Sequence, residues 1–342
     1  MQHQQINTTK MKREDNLMDK IASMENLLLA DEKARQGKKC RYGIKIHDRN
    51  KEANLLKLQK DFREGTYKTS PYTKFIVHDP KEREISRLPY FPDRIAHHAI
   101  MNVLEPIWVN SFSSCTYACI KGRGIHAGVK AVKKALSDRE GTTYCLKIDI
   151  RKYYPSIDHE IMKQKVRKKI GDQRLLVVLD EIIESDTGLP IGNYLSQYLA
   201  NVYLSDFDHW MKEEKHVKYY FRYADDIVVL SSSKEYLHDL FRDMREYIQT
   251  ELKLTVKQNW QVFPIESRGL DFLGYVFFHD YTRIRKRTKQ KIVKKVLTCV
   301  NKGMTAKETH NACGSYQGWM KYGDTRNLIH KLNTIANGKV FK

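Results

Sequence analysis

Two acids stand side by side in this chain, at Asp225 and Asp226, directly after Tyr223-Ala224. They lie inside Val217-Lys218-Tyr219-Tyr220-Phe221-Arg222-Tyr223-Ala224-Asp225-Asp226-Ile227-Val228-Val229-Leu230. Aromatic and β-branched residues flank them on both sides, which predicts a β-hairpin with the acids at its tip. Neighbouring carboxylates repel one another, and desolvating them is expensive unless cations lie between or beside them. Paired Mg²⁺ ions supply that charge, and two-metal sites catalyse phosphoryl displacement. A single carboxylate makes a poor Mg²⁺ site, so this chemistry needs a further acid from elsewhere. Asp149 is the candidate. In the segment Tyr144-Cys145-Leu146-Lys147-Ile148-Asp149-Ile150, strand alternation puts Leu146, Ile148 and Ile150 on one face and Lys147 and Asp149 on the other. An acidic turn by itself is commonplace, so the elements around it have to decide what it does.

Apolar periodicity predicts a helix over 14–36, with Leu17, Ile21, Met24, Leu27 and Leu28 on one stripe, and another over 50–63 that stops near Gly65. Residues 72–90 read as extended, with a turn at Asp79-Pro80; Asp93 caps a helix through 94–108. Gly124 opens a helix carrying Val129, Val132 and Leu136, and Asp158 caps the helix after the acidic strand. Long helices are predicted over 193–213, following the loop Gly188-Leu189-Pro190-Ile191-Gly192, and over 235–252. Short strands are predicted near 254–257, 260–264 and 272–278. This mixture fits an α+β fold better than a doubly wound one. From Arg283 the composition turns basic: Arg283, Arg285, Lys286, Arg287, Lys289, Lys291, Lys294 and Lys295 surround the apolar stripe Ile292, Val293, Val296, Leu297 and Val300 of a further helix.

The chain of 342 residues is 41% hydrophobic, which excludes a disordered protein and leaves room for a sizeable core. Its net charge of +20 draws polyanions, nucleic acid first among them. No apolar span of transmembrane length occurs and no signal-peptide pattern follows the polar start, so membrane association would rest on charge alone. The six cysteines form no Cys-x₂-Cys pair; a zinc site is not expected, and reduced thiols in a cytoplasmic protein are the simpler account.

Read together, these segments resemble the reverse transcriptases. Leu146 to Asp158 resembles that family's first catalytic block, whose core is an Asp followed five residues later by an aromatic, here Asp149 and Tyr154. Tyr223-Ala224-Asp225-Asp226 resembles its aromatic-Xaa-Asp-Asp motif. Further blocks follow the family's order: Lys81, Arg83 and Arg87 in Asp79 to Arg87, then Tyr117 to Gly124 with Lys121 and Arg123, Gly188 to Gln197, Leu252 to Lys257, and Phe272-Leu273-Gly274-Tyr275. Seven ordered blocks cover roughly residues 75–280. The resemblance implies a right-hand polymerase fold. Residues 1–70 would form an N-terminal helical extension and 71–280 the fingers and palm, with fingers about 71–143 and 160–190. The palm, an antiparallel sheet with helices on one face, would cover 144–158 and 191–280, and 281–342 a basic helical thumb. It implies Asp149, Asp225 and Asp226 as catalytic residues, with two Mg²⁺ held at Asp149, Ile150 and Asp225. It implies nucleotide contacts from Lys81, Arg83, Tyr154, Ile191, Gly192, Gln197 and Lys257, where Tyr154 lies under the incoming sugar and excludes a 2′-hydroxyl. Lys257 is a candidate proton donor to the leaving pyrophosphate. Phe272, Leu273, Gly274 and Tyr275 would be the primer grip, and Lys121, Arg123, Arg285, Lys286 and Arg287 would meet nucleic-acid backbone.

Most of the family carries Gln-Gly-xxx-Ser-Pro in the fourth block, where this chain has Ile191-Gly192-Asn193-Tyr194-Leu195-Ser196-Gln197. That departure resembles the reverse transcriptases of diversity-generating retroelements, bacterial or phage-encoded, as do Asp93-Arg94-Ile95-Ala96-His97-His98-Ala99 and Tyr316-Gln317-Gly318-Trp319. Such enzymes copy a template-repeat RNA into cDNA from a DNA or RNA primer, with errors at adenines, assisted by a basic accessory protein that forms a ring. A defence-associated reverse transcriptase with the same core is the alternative within the class, and a catalytically inactive RNA-binding scaffold the alternative outside it. A retron enzyme is disfavoured because no Val-Thr-Gly appears in the thumb region.

Overall fold

The structure, a computed structural model, describes residues 13–38, 41–78 and 82–341. Among them, in chain order, come α1 (Leu17–Ile21), α2 (Met24–Ala34), α3 (Tyr42–Arg49), α4 (Lys51–Glu64), β1 (Thr73–His78), β2 (Glu82–Arg87), α5 (Ile95–Ser111) and α6 (Ile125–Leu136). Then follow β3 (Tyr144–Asp149), α7 (His159–Arg167), α8 (Gln173–Glu184), α9 (Tyr194–His209), β4 (Tyr219–Tyr223), β5 (Asp226–Ser231) and α10 (Lys234–Thr250). The chain finishes with β6 (Gln261–Pro264), α11 (Ile265–Arg268), β7 (Leu270–Phe272), β8 (Tyr275–Phe277), β9 (Thr282–Ile284), α12 (Lys286–Asn301), α13 (Ala306–Ala312), α14 (Gly314–Tyr322) and α15 (Arg326–Ile335). Every sheet is antiparallel, in keeping with the expected α+β polymerase fold.

Several predicted elements take a different form. The helix expected over 14–36 breaks at Ala22-Ser23, where the Ser23 hydroxyl accepts the Asn26 N–H and caps α2. A serine able to cap outcompetes the apolar stripe that runs through it. The segment 254–257 shrinks to a single bridge, Ile150 with Val256. The strand expected over 272–278 is a hairpin, because Leu273 and Gly274 adopt left-handed φ of 52° and 83° and turn the chain. Helices α3 and α8 were not foreseen; α8 is capped by Asp172, whose carboxylate accepts the Arg174 and Leu175 N–H groups. The turn expected at Asp79-Pro80 lies outside the described residues.

The chain divides into two compact units. The first comprises Met1–Ser113, Arg151–Trp210 and Tyr247–Thr255. Its core is helical: α2 packs on α5, and α5 on α9, around Leu27, Ala30, Ala99, Ile100, Leu195 and Leu199. The β1–β2 hairpin belongs to this unit, with Phe75, Ile76 and Val77 exposed on β1.

The second unit comprises Ser114–Ile150, Met211–Glu246 and Val256–Lys342. It holds a four-stranded sheet in the order β4-β5-β3-β6 and a three-stranded sheet β7-β8-β9. One core cluster joins Val129 and Val132 of α6 to Cys145, Phe221, Val228 and Leu230 of the larger sheet, to Phe272, Tyr275 and Phe277 of the smaller one, and to Ile292 and Val296 of α12. The face that carries Lys147 and Asp149 is therefore apolar at its Cys145 end. That packing is what fixes the strand carrying the acids.

Candidate active site

Strand register brings the acids together. Residue for residue, Asp149 at the end of β3 lies opposite Asp226 at the start of β5, and Tyr223 of β4 pairs with Asp226 across the turn Ala224-Asp225. Ala224 is left-handed, with φ 54°, a conformation that a small residue tolerates better than a bulky one. The buried Arg222 guanidinium donates to the Ala224 carbonyl at 3.0 Å and to the Thr116 hydroxyl at 3.1 Å, which braces the turn from below. The Ile150 N–H donates to the Asp225 carbonyl at 3.3 Å, and the Lys257 N–H to the Asp149 carbonyl at 2.8 Å. All of these residues belong to the second unit.

The electrostatics are those of crowded anions. Burial, and next the like charge of Asp149, push the Asp225 carboxyl above its usual range. Burial lifts Asp226 to about 6, with Asp149 and Asp225 adding to it and Lys147 opposing. The Asp226 Oδ1 is buried with no hydrogen-bond partner, while 31% of the side chain still reaches solvent. Two ammonium groups offset part of this charge: Lys257 Nζ lies 2.5 Å from Asp149 Oδ1, and Lys147 Nζ lies 3.6 Å from Asp226 Oδ2.

Among the described residues no group of three or more His, Cys, Asp and Glu side chains is disposed to hold a metal ion. A divalent ion nevertheless fits this donor set. Mutually repelling carboxylates, one with an unpartnered buried oxygen, are the chemistry that hard cations satisfy. Isoleucine has no side-chain donor, so Ile150 is able to contribute only its carbonyl.

The other residues singled out from sequence fall into two groups. In the first unit, Tyr154 opens a single helical turn, Tyr154–Ser156, and its carbonyl accepts the Leu189 N–H at 2.9 Å. The Gly188 to Gly192 loop also meets β2: the Ile191 carbonyl accepts the Ser86 N–H at 2.8 Å. A Cβ on Gly192, at φ 126°, would stand 2.8 Å from the Ser86 carbonyl oxygen, so only glycine lets the loop approach this closely. Ile191 is half-buried, Gln197 is exposed on α9, and Arg83 is exposed on β2. Lys81 lies outside the described residues.

In the second unit, Phe272, Leu273 and Tyr275 point into the core. Trp319 stacks on Tyr275 with ring centroids 5.2 Å apart, and a Cβ on Gly274 would meet the Trp319 ring at 2.5 Å. Lys121, Lys286 and Arg287 are exposed. Arg123 is half-buried and reaches the Thr116 carbonyl at 3.5 Å. Arg285 is partly exposed, and its Nε donates to Asp271 Oδ1 at 2.6 Å. Sequence reasoning gave no role to Lys147, Asp271, Arg222 or Trp319. For Lys147 the signal was present, since alternation sets it on the face of Asp149; Asp271 and Trp319 come from distant segments.

A family model described as reverse transcriptase (RNA-dependent DNA polymerase) matches residues 78–277, more than half of the chain. The chain belongs to the reverse transcriptases. Members of this family are RNA-directed DNA polymerases and generally use divalent metal ions. This reverse transcriptase is 24% identical over 280 residues to protein YkfC of Escherichia coli strain K12, covering 68% of this chain and 71% of that one. It is 26% identical over 278 residues to the retron Ec73 reverse transcriptase of Escherichia coli, covering 74% of this chain and 86% of that one. Among solved structures, telomerase from Candida albicans, in complex with a fragment of telomeric RNA, aligns over 80% of this chain with a TM-score of 0.48 and 10% identity; the aligned part spans 61% of the telomerase chain. Among the described residues no helix is long and apolar enough to cross a membrane.

Proposed function

We propose that this reverse transcriptase copies the template-repeat RNA of a diversity-generating retroelement into cDNA, with Asp149 and Asp225 as the principal catalytic carboxylates and Asp226 beside them. The observation that carries the chemistry is the register of Asp149 against Asp226, which gathers acids from distant parts of the chain at one strand end. Asp149, Asp225 and the Ile150 carbonyl would hold the divalent ions, Mg²⁺ on this reading, which supply a more acidic primer 3′-hydroxyl and countercharge for the leaving pyrophosphate. Lys257, whose ammonium rests on Asp149, carries a proton that the leaving group needs. Tyr154 would exclude a ribose 2′-hydroxyl by bulk. Lys81, Arg83, Gly192 and Gln197 would line the nucleotide, and Lys121, Arg123, Arg285, Lys286 and Arg287 the nucleic-acid backbone. The division into an N-terminal extension, fingers with palm, and thumb belongs to the same reading, as do a basic ring-forming accessory protein and a cytoplasmic bacterial or phage setting.

The retroelement branch rests on Ile191. A glutamine there has donors and an acceptor to offer a nascent base pair; isoleucine has none. Losing a polar contact that checks pairing lowers discrimination between right and wrong nucleotides. The test is cDNA synthesis on an RNA template followed by sequencing of the products. Wild-type protein should misincorporate chiefly opposite template adenines, and Ile191→Gln and Ile191→Asn should reduce those errors. An error spectrum that ignores the template base, or is unchanged in both variants, favours the defence-associated alternative and removes the retroelement reading.

A further inference from the structure

Lys147 touches two parts of the second unit at once. It stands on β3 two residues before Asp149 and on the same face. Its ammonium lies 3.6 Å from Asp226 Oδ2 and also donates to the backbone carbonyl of Asp271. Asp271 is the middle residue of β7. The Asp271 carboxylate accepts from Arg285 Nε at 2.6 Å, and the Arg285 N–H donates to the Gly274 carbonyl at 3.0 Å. A path of polar contacts therefore runs from the third carboxylate, through Lys147 and Asp271, to Arg285 and the Gly274 carbonyl of the Leu273-Gly274 turn.

The path matters because strand pairing does not make this connection. β3 belongs to the four-stranded sheet and β7 to the three-stranded one, and no ladder joins them. Side-chain contacts therefore help to set the spacing between the carboxylates and the hairpin. Lys147 is suited to this: only 27% of its side chain is exposed, so its stem is held along the protein surface while its head makes both contacts. The Asp226 contact also fixes a positive charge beside the carboxylates that would hold a divalent cation, and that charge opposes the cation's approach.

We propose that Lys147 is a positioning residue that ties Asp226 to the β7–β8 hairpin, fixing where a primer end lies relative to the catalytic carboxylates and setting the positive charge that an arriving divalent ion meets. This rests on the polymerase reading and on the hairpin as its primer grip. Three variants separate the two contacts: Lys147→Met loses both, Lys147→Gln keeps a donor for the Asp271 carbonyl but no charge, and Lys147→Arg keeps both. The measurements are primer–template affinity by fluorescence anisotropy without nucleotide, the Mg²⁺ midpoint of thermal stabilisation, and steady-state extension. Removing one hydrogen bond should weaken primer–template binding about fivefold in Lys147→Met, raising KM for primer–template while KM for dNTP stays put. Removing a largely buried charge should lower the Mg²⁺ midpoint about threefold in both Lys147→Met and Lys147→Gln. Lys147→Gln should bind primer–template as wild type does, and Lys147→Arg should match wild type in both. Unchanged primer affinity together with an unchanged Mg²⁺ midpoint in Lys147→Met overturns the proposal, as does a general loss of stability that Lys147→Arg fails to rescue. If the wild type extends no primer, it is the polymerase reading that fails; anisotropy and melting still decide the role of Lys147.

Discussion

The crowding of Asp149, Asp225 and Asp226 predicts that the metal-free protein gains stability when one of its functional carboxylates is neutralised. Asp226→Asn is the cleanest case, since asparagine keeps the shape and removes the charge. The folded protein holds the Asp226 carboxyl at about 6, against an ordinary 3.8. Each pH unit of such a displacement corresponds to about 1.4 kcal/mol, so ionising this group would cost the fold roughly 3 kcal/mol if it were wholly buried. With 31% of the side chain in solvent, about half of that is the expected effect, near 1.5 kcal/mol. A carboxyl whose pKa is higher in the folded state binds its proton more tightly there. Its favourable contribution is thus complete below 3.8 and is lost as pH rises through about 6. In chelator, Asp226→Asn should melt about 2–4 °C above wild type at pH 8, and the difference should vanish towards pH 4. Mg²⁺ should stabilise wild type and stabilise the variant less. Paired thermal melts across pH, with and without Mg²⁺, measure this. A variant less stable than wild type at pH 8, or a difference that does not change with pH, would refute the reasoning.

Three further outcomes follow from individual contacts. Tyr154→Ala should admit ribonucleotides, lowering the dNTP:rNTP preference by at least about tenfold, since a steric clash with the 2′-hydroxyl worth some 1–3 kcal/mol is relieved; parallel extension with each nucleotide set reads it. Gly274→Ala should destabilise the second unit by about 2 kcal/mol or more, because φ is 83° and the new Cβ meets the Trp319 ring, with Gly314→Ala, which has open space at the Cβ position, as a near-neutral comparison in denaturant melts. Arg222→Met should keep RNA binding but slow extension by about tenfold or more, since the Ala224 carbonyl and the Thr116 hydroxyl lose their shared donor; single-turnover kinetics separate that loss from binding.

What could be read from sequence was what depends on short-range pattern. Alternation in Tyr144 to Ile150 and aromatic-rich strands around Asp225-Asp226 sufficed to set Asp149 on one strand face and Asp225 and Asp226 at a hairpin tip. The structure adds the register that makes Asp149 and Asp226 neighbours. Where local signals competed, the stronger was not always evident: Ser23 capped a new helix inside a continuous apolar stripe, and Asp172 began α8, whose cap and apolar spacing were legible but not used. The β7–β8 turn was half visible, since Gly274 invites a left-handed conformation but Leu273 does not. The partners of Lys147, Arg285 and Tyr275 had no local signal at all. Each is set by another segment of the chain, Asp271 for the two basic residues and Trp319 for the tyrosine.

The claim on which the rest depends is that Asp149 and Asp225 together perform nucleotidyl transfer on an RNA template. Primer extension by wild type, Asp149→Asn and Asp225→Asn, with primer–template binding measured on the same preparations, tests it directly. Wild type should lengthen the primer only when a divalent cation is present, and both variants should bind nearly as well yet extend it at least about a thousandfold more slowly. Extension at near wild-type rate by either variant would contradict the account.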